Sequence, residues 1–326
     1  MDDRDGRATA AAGTMTAVGQ RVLGGPDVLR SHTRPRPRPG PGEVLVRVLA
    51  TSLNPTDWVH RRVEGFLGPI RRDDPPRVLG WDLSGVVAEV GFGATYHDVG
   101  DPVFGLLPYP CGHGAAAEYA VAPARALARK PVTVSHAQAA AISLVGVTAW
   151  QALVETAHLR PGHRVLVHAA AGGVGHAAVQ IAAGLGAHVV ATAGAAHHDF
   201  VAACGACQVV DYPTTPFEDV VRDIDIVLDT VGGDYPRRSA RTLRDGVGTI
   251  VSLVLDNTER ITDLAGVRHR LMLVESSHDS ISRIEELVAD SLLAPRIEAE
   301  FPLERAAEGH RAGETGHVAG KVVLTV

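Results

Sequence analysis

At 326 residues the chain exceeds the usual span of a single hydrophobic core and is expected to divide into two domains. Its 45% hydrophobic and 21% charged residues suit a soluble globular protein, and a net charge of −6 argues against a general nucleic-acid binder. Three cysteines make no disulfide framework and point to a reducing cytoplasm.

The opening MDDRDGRATAAAGT is acidic, rich in small residues and without an apolar stretch. It predicts a disordered extension over 1–14 and not a signal peptide. RPRPRPG, Arg34 to Gly40, alternates proline with arginine and favours an extended connector. GEVLVRVLATSLN, Gly42 to Asn54, predicts a strand, and VLGWDLSGVVAEVG and DPVFGLL continue a β-rich first domain over 15–132. His136 to Val154 is helical in composition and bridges into the second domain.

Strand-like and helix-like segments then alternate. RVLVHAA precedes VGHAAVQIAAGLG, HVVATA precedes AHHDFVAACG, and QVVDY precedes a short helix near Phe217 to Arg222. IDIVLDTVG, DYPRRSARTLR, GTIVSL and RLMLVES close the series, which predicts βαβ units and a parallel sheet over 133–294. Val165 to His198 contains no Asp, Glu, Lys or Arg, long enough to raise a membrane span. Its six glycines and its change from strand to helix and back favour a buried parallel-sheet unit. Cys204 and Cys207 form a CxxC without a second pair, which favours a structural over a redox or zinc role. The tail, 295–326, returns to a helix-plus-strand pattern and is expected to fold back onto the first domain.

LVHAAAGGVGHAAVQ carries Ala170-x-Gly172-x-x-Gly175, a dinucleotide fingerprint with alanine in place of its first glycine. It follows a strand and opens a helix, the context that gives the pattern meaning. Gly172 lets the backbone approach a pyrophosphate and Gly175 lets helix and strand pack closely. The helix start, with Gly173 and Val174, turns unpaired N–H groups toward the phosphates. An acid about 20 residues further on would bind the ribose of NAD. That count reaches Thr192, Ala193 and Gly194, all uncharged, which disfavours strict NAD use.

Together with PGPGEVLVRV, NPTDWVHR, RVLGWDLSGVVAEVG, GDPVFG, AEYAVAPARALARKP, TAWQAL, VVDY, VLDTVGG and GKVVLTV, this loop resembles a known family. It is the medium-chain dehydrogenase/reductase superfamily, in its zinc-independent, quinone oxidoreductase-like branch. The likeness runs from about residue 16 to the end. It implies an α/β protein with a GroES-like, β-rich substrate domain built from both chain ends and a doubly wound Rossmann domain between them. It also implies a cleft at their junction, a homodimer through the Rossmann sheet edge, and NAD(P)H-dependent reduction of quinones, enones or enoyl thioesters.

By this resemblance Asn54 lies near the nicotinamide and the substrate carbonyl, Thr148 beneath the nicotinamide, and Val231 and Gly232 at its border. Asn54 before Pro55 is equally a good turn residue, and Thr148 an ordinary helix residue. Zinc relatives place a cysteine in the segment matching SLNPTDW and Gly-His-Glu where this chain has Gly80-Trp81-Asp82. With thiolate and imidazole gone, tetrahedral zinc has no support. Close relatives hold the 2′-phosphate of NADP with a serine and a lysine or arginine, where this chain has Gly194 and Ala196. Tyr212, which matches a residue beside the adenosine phosphate, tips the balance to NADPH, with NADH the alternative. His197 lies one position beyond the expected cation, and a partly protonated imidazole there suits a 2′-phosphate. His197 and His198 point about 100° apart on a helix and make a poor metal pair.

Conjugate reduction also needs a proton donor and a group that hydrogen-bonds the carbonyl. His60 is a candidate because imidazole titrates near neutrality, although its place beside Arg61 suits a surface residue. Tyr109 and His113 are further candidates, and solvent is another. Trp58, Phe66, Trp81 and Tyr109 are the side chains expected to contact substrate. The expectation is a cytoplasmic, zinc-free, NADPH-preferring reductase of a small molecule, without nucleic-acid or membrane partners. The eroded cofactor clamp leaves two rivals: a redox-neutral tailoring enzyme on the same fold, and a protein that binds nucleotide or quinone without turnover.

Overall fold

The structure, a computed structural model, describes residues 13–110, 114–254 and 265–326. All but the last two residues of the expected N-terminal extension lie outside these, as does His113.

The first unit contains β1 (Thr14–Gln20), β2 (Arg30–Pro35), β3 (Glu43–Ser52), α1 (Pro55–Arg62), β4 (Arg77–Val78), β5 (Asp82–Val90), β6 (Pro102–Leu106), β7 (Tyr119–Pro123) and β8 (Leu127–Arg129). β2, β1 and β4 form a small sheet with β2 at its edge, so the start of RPRPRPG is a strand. An edge position tolerates Pro35, which has no N–H to give.

α2 (His136–Trp150) begins at Ser135, whose hydroxyl accepts the Gln138 amide at 3.1 Å while the Gln138 side chain accepts the Ser135 amide at 3.0 Å. This reciprocal cap is a helix-start signature. The helix continues with π geometry through Gln151–Thr156. The combined His136–Thr156 is long and apolar enough to cross a membrane, and it is mostly buried inside the fold. It packs on β3, β5 and β6 on one side and, through later helices, on the second unit. A helix apolar all round belongs in such a shared core.

The second unit alternates β9 (Arg164–Val167), α3 (Gly173–Gly184), β10 (His188–Ala193), α4 (His198–Ala203), β11 (Gln208–Asp211), α5 (Phe217–Val220), β12 (Ile226–Asp229), α6 (Tyr235–Ala240), β13 (Gly248–Ser252), β14 (Val267–Leu271) and α7 (His278–Ala289). Its six strands are parallel in the order β11-β10-β9-β12-β13-β14. The chain reverses direction of travel between β9 and β12, which opens a crevice at their carboxyl ends. Cys204 closes α4 and Cys207 is exposed, both as free thiols.

β15 (Ile297–Pro302), α8 (Ala306–Gly313) and β16 (Lys321–Thr325) return to the first unit, where β16 pairs antiparallel with β3. The larger sheet then runs β15-β16-β3-β5-β6-β8, with β7 also on β3. Just before β16, Gly320 donates its amide to the Ala171 carbonyl at 2.8 Å. Gly320 has φ +86°, and a Cβ there would lie 2.3 Å from the Arg296 carbonyl oxygen. Only glycine fits this junction.

One buried histidine locks each unit. His168, after β9, bonds Thr192 Oγ1 at 3.2 Å and Ser239 Oγ at 2.9 Å, with Phe217 edge-on. His310 of α8 accepts at Nδ1 from the Arg61 guanidinium at 2.9 Å. Burial pushes His168 down to about 4, and burial with the adjoining Arg61 charge pushes His310 down to about 3. Both are neutral in the fold, whereas in the unfolded chain they take up protons below about pH 6.5. Between roughly pH 6.5 and 4 the unfolded state therefore binds more protons, and stability falls as pH falls, by up to about 1.4 kcal/mol per pH unit per histidine. Urea melts across this range should show that slope, and H310Q should flatten it. An unchanged slope in H310Q would contradict this account.

Candidate active site

The site begins where β3 ends. Asn54 precedes Pro55 at the first turn of α1, a position where proline loses nothing by lacking an N–H. Asp57 closes this turn: its Oδ2 accepts the Asn54 amide at 2.7 Å and its Oδ1 the Gly80 amide at 3.0 Å. Burial pushes the Asp57 carboxyl up to about 7 against those hydrogen bonds and the Lys321 charge.

Asp82, at the start of β5, accepts from Ser52 Oγ at 2.5 Å, from Asn54 Nδ2 at 2.7 Å and from the Leu144 amide of α2 at 2.5 Å. Lys321 Nζ donates to the Leu53 carbonyl at 2.6 Å and to Asn54 Oδ1, and lies 3.8 Å from Asp82 Oδ2. Asn54 is 2% exposed, Lys321 4% and both aspartates 0%. Burial raises the Asp82 pKa and lowers that of Lys321, and their mutual attraction opposes both shifts. Asn54 is thus wired on both ends of its amide.

Beyond Asn54, α1 presents Thr56 and His60. Contrary to the surface position its neighbour suggests, His60 is buried, and so is Arg61, whose guanidinium bonds the Gly24 carbonyl, His310 and Glu314. The His60 ring lies 5.5 Å from Trp81 and 6.3 Å from Tyr109, and Trp81 meets Tyr109 edge-on at 5.4 Å. Thr56 Oγ1 donates to Tyr109 Oη at 3.1 Å. Trp81 is fully buried, so it backs the half-buried Tyr109 and does not line an open wall. Trp58 faces away from this group, against His310 and Gly313, so α1 separates it from the other aromatics. Phe66 lies in the one-turn segment Gly65–Leu67 beyond α1.

The glycine loop joins β9 to α3. Ala169 has φ +46°, an uncommon conformation for a residue with a side chain. Ala170 is fully buried and its amide donates to the Thr192 carbonyl at 2.9 Å. Gly172 is the residue before the helix, and the amides of Gly173, Val174 and Gly175 form the first turn, which faces an anion by geometry. A Cβ on Gly175 would lie 2.3 Å from the Ala169 carbonyl oxygen. A Cβ on Gly173 would meet Lys321 Cδ at 2.9 Å and Val145 Cγ1 at 3.1 Å. His176 fixes the loop from beneath, donating from Nδ1 to the Gly172 carbonyl at 2.9 Å and accepting the Arg296 amide at Nε2.

Thr192 lies near the end of β10. It is buried, and its hydroxyl pairs with His168 and accepts the Ala169 amide at 3.3 Å, so it holds the loop. Ala193 is buried at the end of β10 and Gly194 follows half-buried. His198 donates from Nε2 to the Ala193 carbonyl at 3.2 Å, while His197 sits half-buried at the start of α4. Tyr212 is half-exposed after β11. The Val231 and Gly232 amides, after β12, both donate to Asp229 Oδ1 at 2.9 Å, on the same side of the sheet as the loop. Thr148 is buried and its hydroxyl donates to the Leu144 carbonyl at 2.7 Å, the behaviour of an ordinary helix residue.

The loop and helix start fit a dinucleotide. The donor set at Gly80-Trp81-Asp82 does not suit zinc: Trp81 offers no ligand atom, and the Asp82 carboxylate is spent on three donors beside an ammonium. Among the described residues no three His, Cys, Asp or Glu gather to hold a metal. Lys321, Asp57, His168 and His176 carry the site's framework and were not singled out from sequence. The one signal for Lys321 was a lone charge opening an apolar strand.

Comparison with known proteins identifies the family and the fold. Residues 40–132 match the alcohol dehydrogenase GroES-like domain and residues 204–324 the zinc-binding dehydrogenase domain. The mitochondrial NAD(P)H oxidoreductase RTN4IP1 of Danio rerio is 30% identical, covering 87% of this chain and 84% of that protein. The chloroplastic quinone-oxidoreductase homolog of Spinacia oleracea is 31% identical, covering 92% and 95%. The polyketide synthase GfsB of Streptomyces halstedii is 40% identical over 77% of this chain but only 5% of that protein. The Coxiella burnetii quinone oxidoreductase structure superposes with a TM-score of 0.89 at 34% identity, covering 96% of this chain and all of that one. The Escherichia coli quinone oxidoreductase complexed with NADPH gives 0.83 at 26% identity, covering 95% and 100%.

The cytoplasmic expectation is overturned by the Danio rerio and Spinacia oleracea relatives, whose names place them in mitochondria and chloroplasts. Few cysteines report reducing chemistry and carry no address. Sheet order, glycine loop and likeness agree, and the chain belongs to the medium-chain dehydrogenase/reductase superfamily, with its NAD(P)H oxidoreductases of the quinone oxidoreductase type.

Proposed function

We propose that this chain is a zinc-free, NADPH-preferring reductase of a quinone or an activated C=C bond in a small molecule. One observation carries this reading. The anion-facing start of α3 and the buried Asn54 amide are joined by a single strand end, Gly320 and Lys321, so the nucleotide loop and the substrate side form one site.

When bound, the nicotinamide supplies the hydride. The first-turn amides of α3 would hold the pyrophosphate, Val231 and Gly232 would border the ring, and Tyr212 would flank the adenosine. The uncharged Thr192-Ala193-Gly194 leaves nothing to repel a 2′-phosphate, and His197 would meet it. Asn54 orients toward the substrate carbonyl. Thr56 orients the Tyr109 phenol, and with His60 behind it this group supplies the proton. Such a reaction needs a hydrogen-bond donor where charge builds on the carbonyl oxygen and needs no metal-bound alkoxide. The exposed sheet edge at β14 suits a homodimer contact.

Four outcomes test this. Purified protein should oxidise NADPH faster than NADH when quinones and enones are added, followed by absorbance. H197A should raise the NADPH KM about fivefold with the NADH KM unchanged, the pattern of a lost charged contact. Equal effects on both cofactors would rule the clamp out. Y109F should lower kcat about 10²-fold while stability is retained, and an unchanged kcat would remove Tyr109 as donor. G175A should destabilise the protein by about 1–3 kcal/mol and abolish nucleotide binding, because its methyl must displace loop backbone. Wild-type affinity in G175A would contradict the packing described.

A further inference from the structure

We infer that Lys321 is a positioning residue that sets the Asn54 amide and couples it to the nucleotide loop, an inference that rests on the reading of Asn54 as the substrate-side group. An amide side chain has two nearly isosteric orientations, and only its partners choose between them. Here the choice is forced. The Lys321 ammonium can only donate, so Asn54 Oδ1 must face it, while the Asp82 carboxylate accepts from Nδ2 at 2.7 Å. Among the described residues the second Nδ2 hydrogen meets the Ser52 carbonyl, at a long 3.4 Å, and is the one left to serve a ligand. A cation on the amide oxygen also draws electron density from the N–H groups and strengthens them as donors.

The same side chain touches the glycine loop. The Lys321 stem crosses Gly173 so closely that a Cβ there would lie 2.9 Å from Cδ. Gly320 is stitched to Ala171 and bridges Gly172, which leaves the start of β16 no freedom to slide. A displacement of the loop therefore moves the Lys321 stem, and with it the ammonium that donates to Asn54 Oδ1. The ammonium itself points away from the loop, to the Leu53 carbonyl and Asn54, so it is not placed as a direct phosphate contact.

The test is a double-mutant cycle with N54A and K321M, read on kcat for a quinone and on the NADPH Kd from fluorescence. Each single variant should lower kcat about tenfold or more. The double variant should stay within about twofold of N54A, because Lys321 acts through Asn54. N54A should weaken NADPH several-fold in the wild-type background and less than about twofold in the K321M background. Multiplicative effects on both quantities would overturn the inference and show Lys321 acting on its own.

K321M strands two buried carboxylates, so the cycle is repeated in D82N, where K321M completes the removal of a charge pair. Melting temperatures report whether each variant is folded. In the D82N cycle the same non-additivity is expected, and multiplicative effects there again overturn it. Wild-type protein that binds NADPH but turns over no quinone or enone would count against the reductase reading alone, since the affinity cycle still reports on Lys321. Wild-type protein that binds no NADPH would overturn both.

Discussion

Burying the Lys321 ammonium costs several kcal/mol unless its charge is neutralised and its protons are all placed. Leu53, Asn54 and Asp82 meet that demand, and they come from the end of β3 and the start of β5, more than 200 residues away in the chain. The first and last parts of the sequence must therefore close around one another before the charge can be buried. Asp82 adds a further tie by accepting the Leu144 amide, which brings α2 into the same network. A single charge thus requires the substrate unit, the shared helix and the C-terminal strand to be in register together.

Packing supplies the complementary constraint. The apolar helix beginning at His136 has no polar face to show to water, so both units must cover it. The loop after β9 then has to lie flat against this helix and against β16. Gly173 and Gly175 meet that condition by omission, since a methyl on either would collide with Lys321 or with loop backbone. The glycines are accordingly read in two ways at once. Gly175 answers to helix–strand packing, while Gly173 answers to a lysine stem that no local pattern announces.

This explains what the sequence disclosed and what it withheld. The βαβ alternation and the glycine loop are local, carried by periodicity and by residues a few positions apart, and they were legible. So was the fold-back of the tail, because GKVVLTV looks like a strand of the first unit and unlike its neighbours. The roles of His60, Arg61, Trp58 and Trp81 were not legible, because burial of α1 on several faces depends on α8 and the segment near Gly80. Thr192 was expected at the cofactor by counting along the chain. Its hydroxyl also pairs with His168, a partner visible only when β9 and β10 lie side by side.

The balance of charges also bears on which chemistry the site favours. Relatives with zinc place a metal cation where an alcohol oxygen can bind it directly. Here the position of the ligand histidine is filled by Trp81 in the core, and Asp82 is closed off by Ser52, Asn54, Leu144 and Lys321. The cation that remains acts at one remove, through the oxygen of Asn54. An amide polarised in this way can stabilise an oxygen that gains charge and keeps its hydrogen bond, as in conjugate or quinone reduction. An alcohol that must lose its proton before giving up hydride makes a different demand, for a positive centre that binds the alkoxide itself.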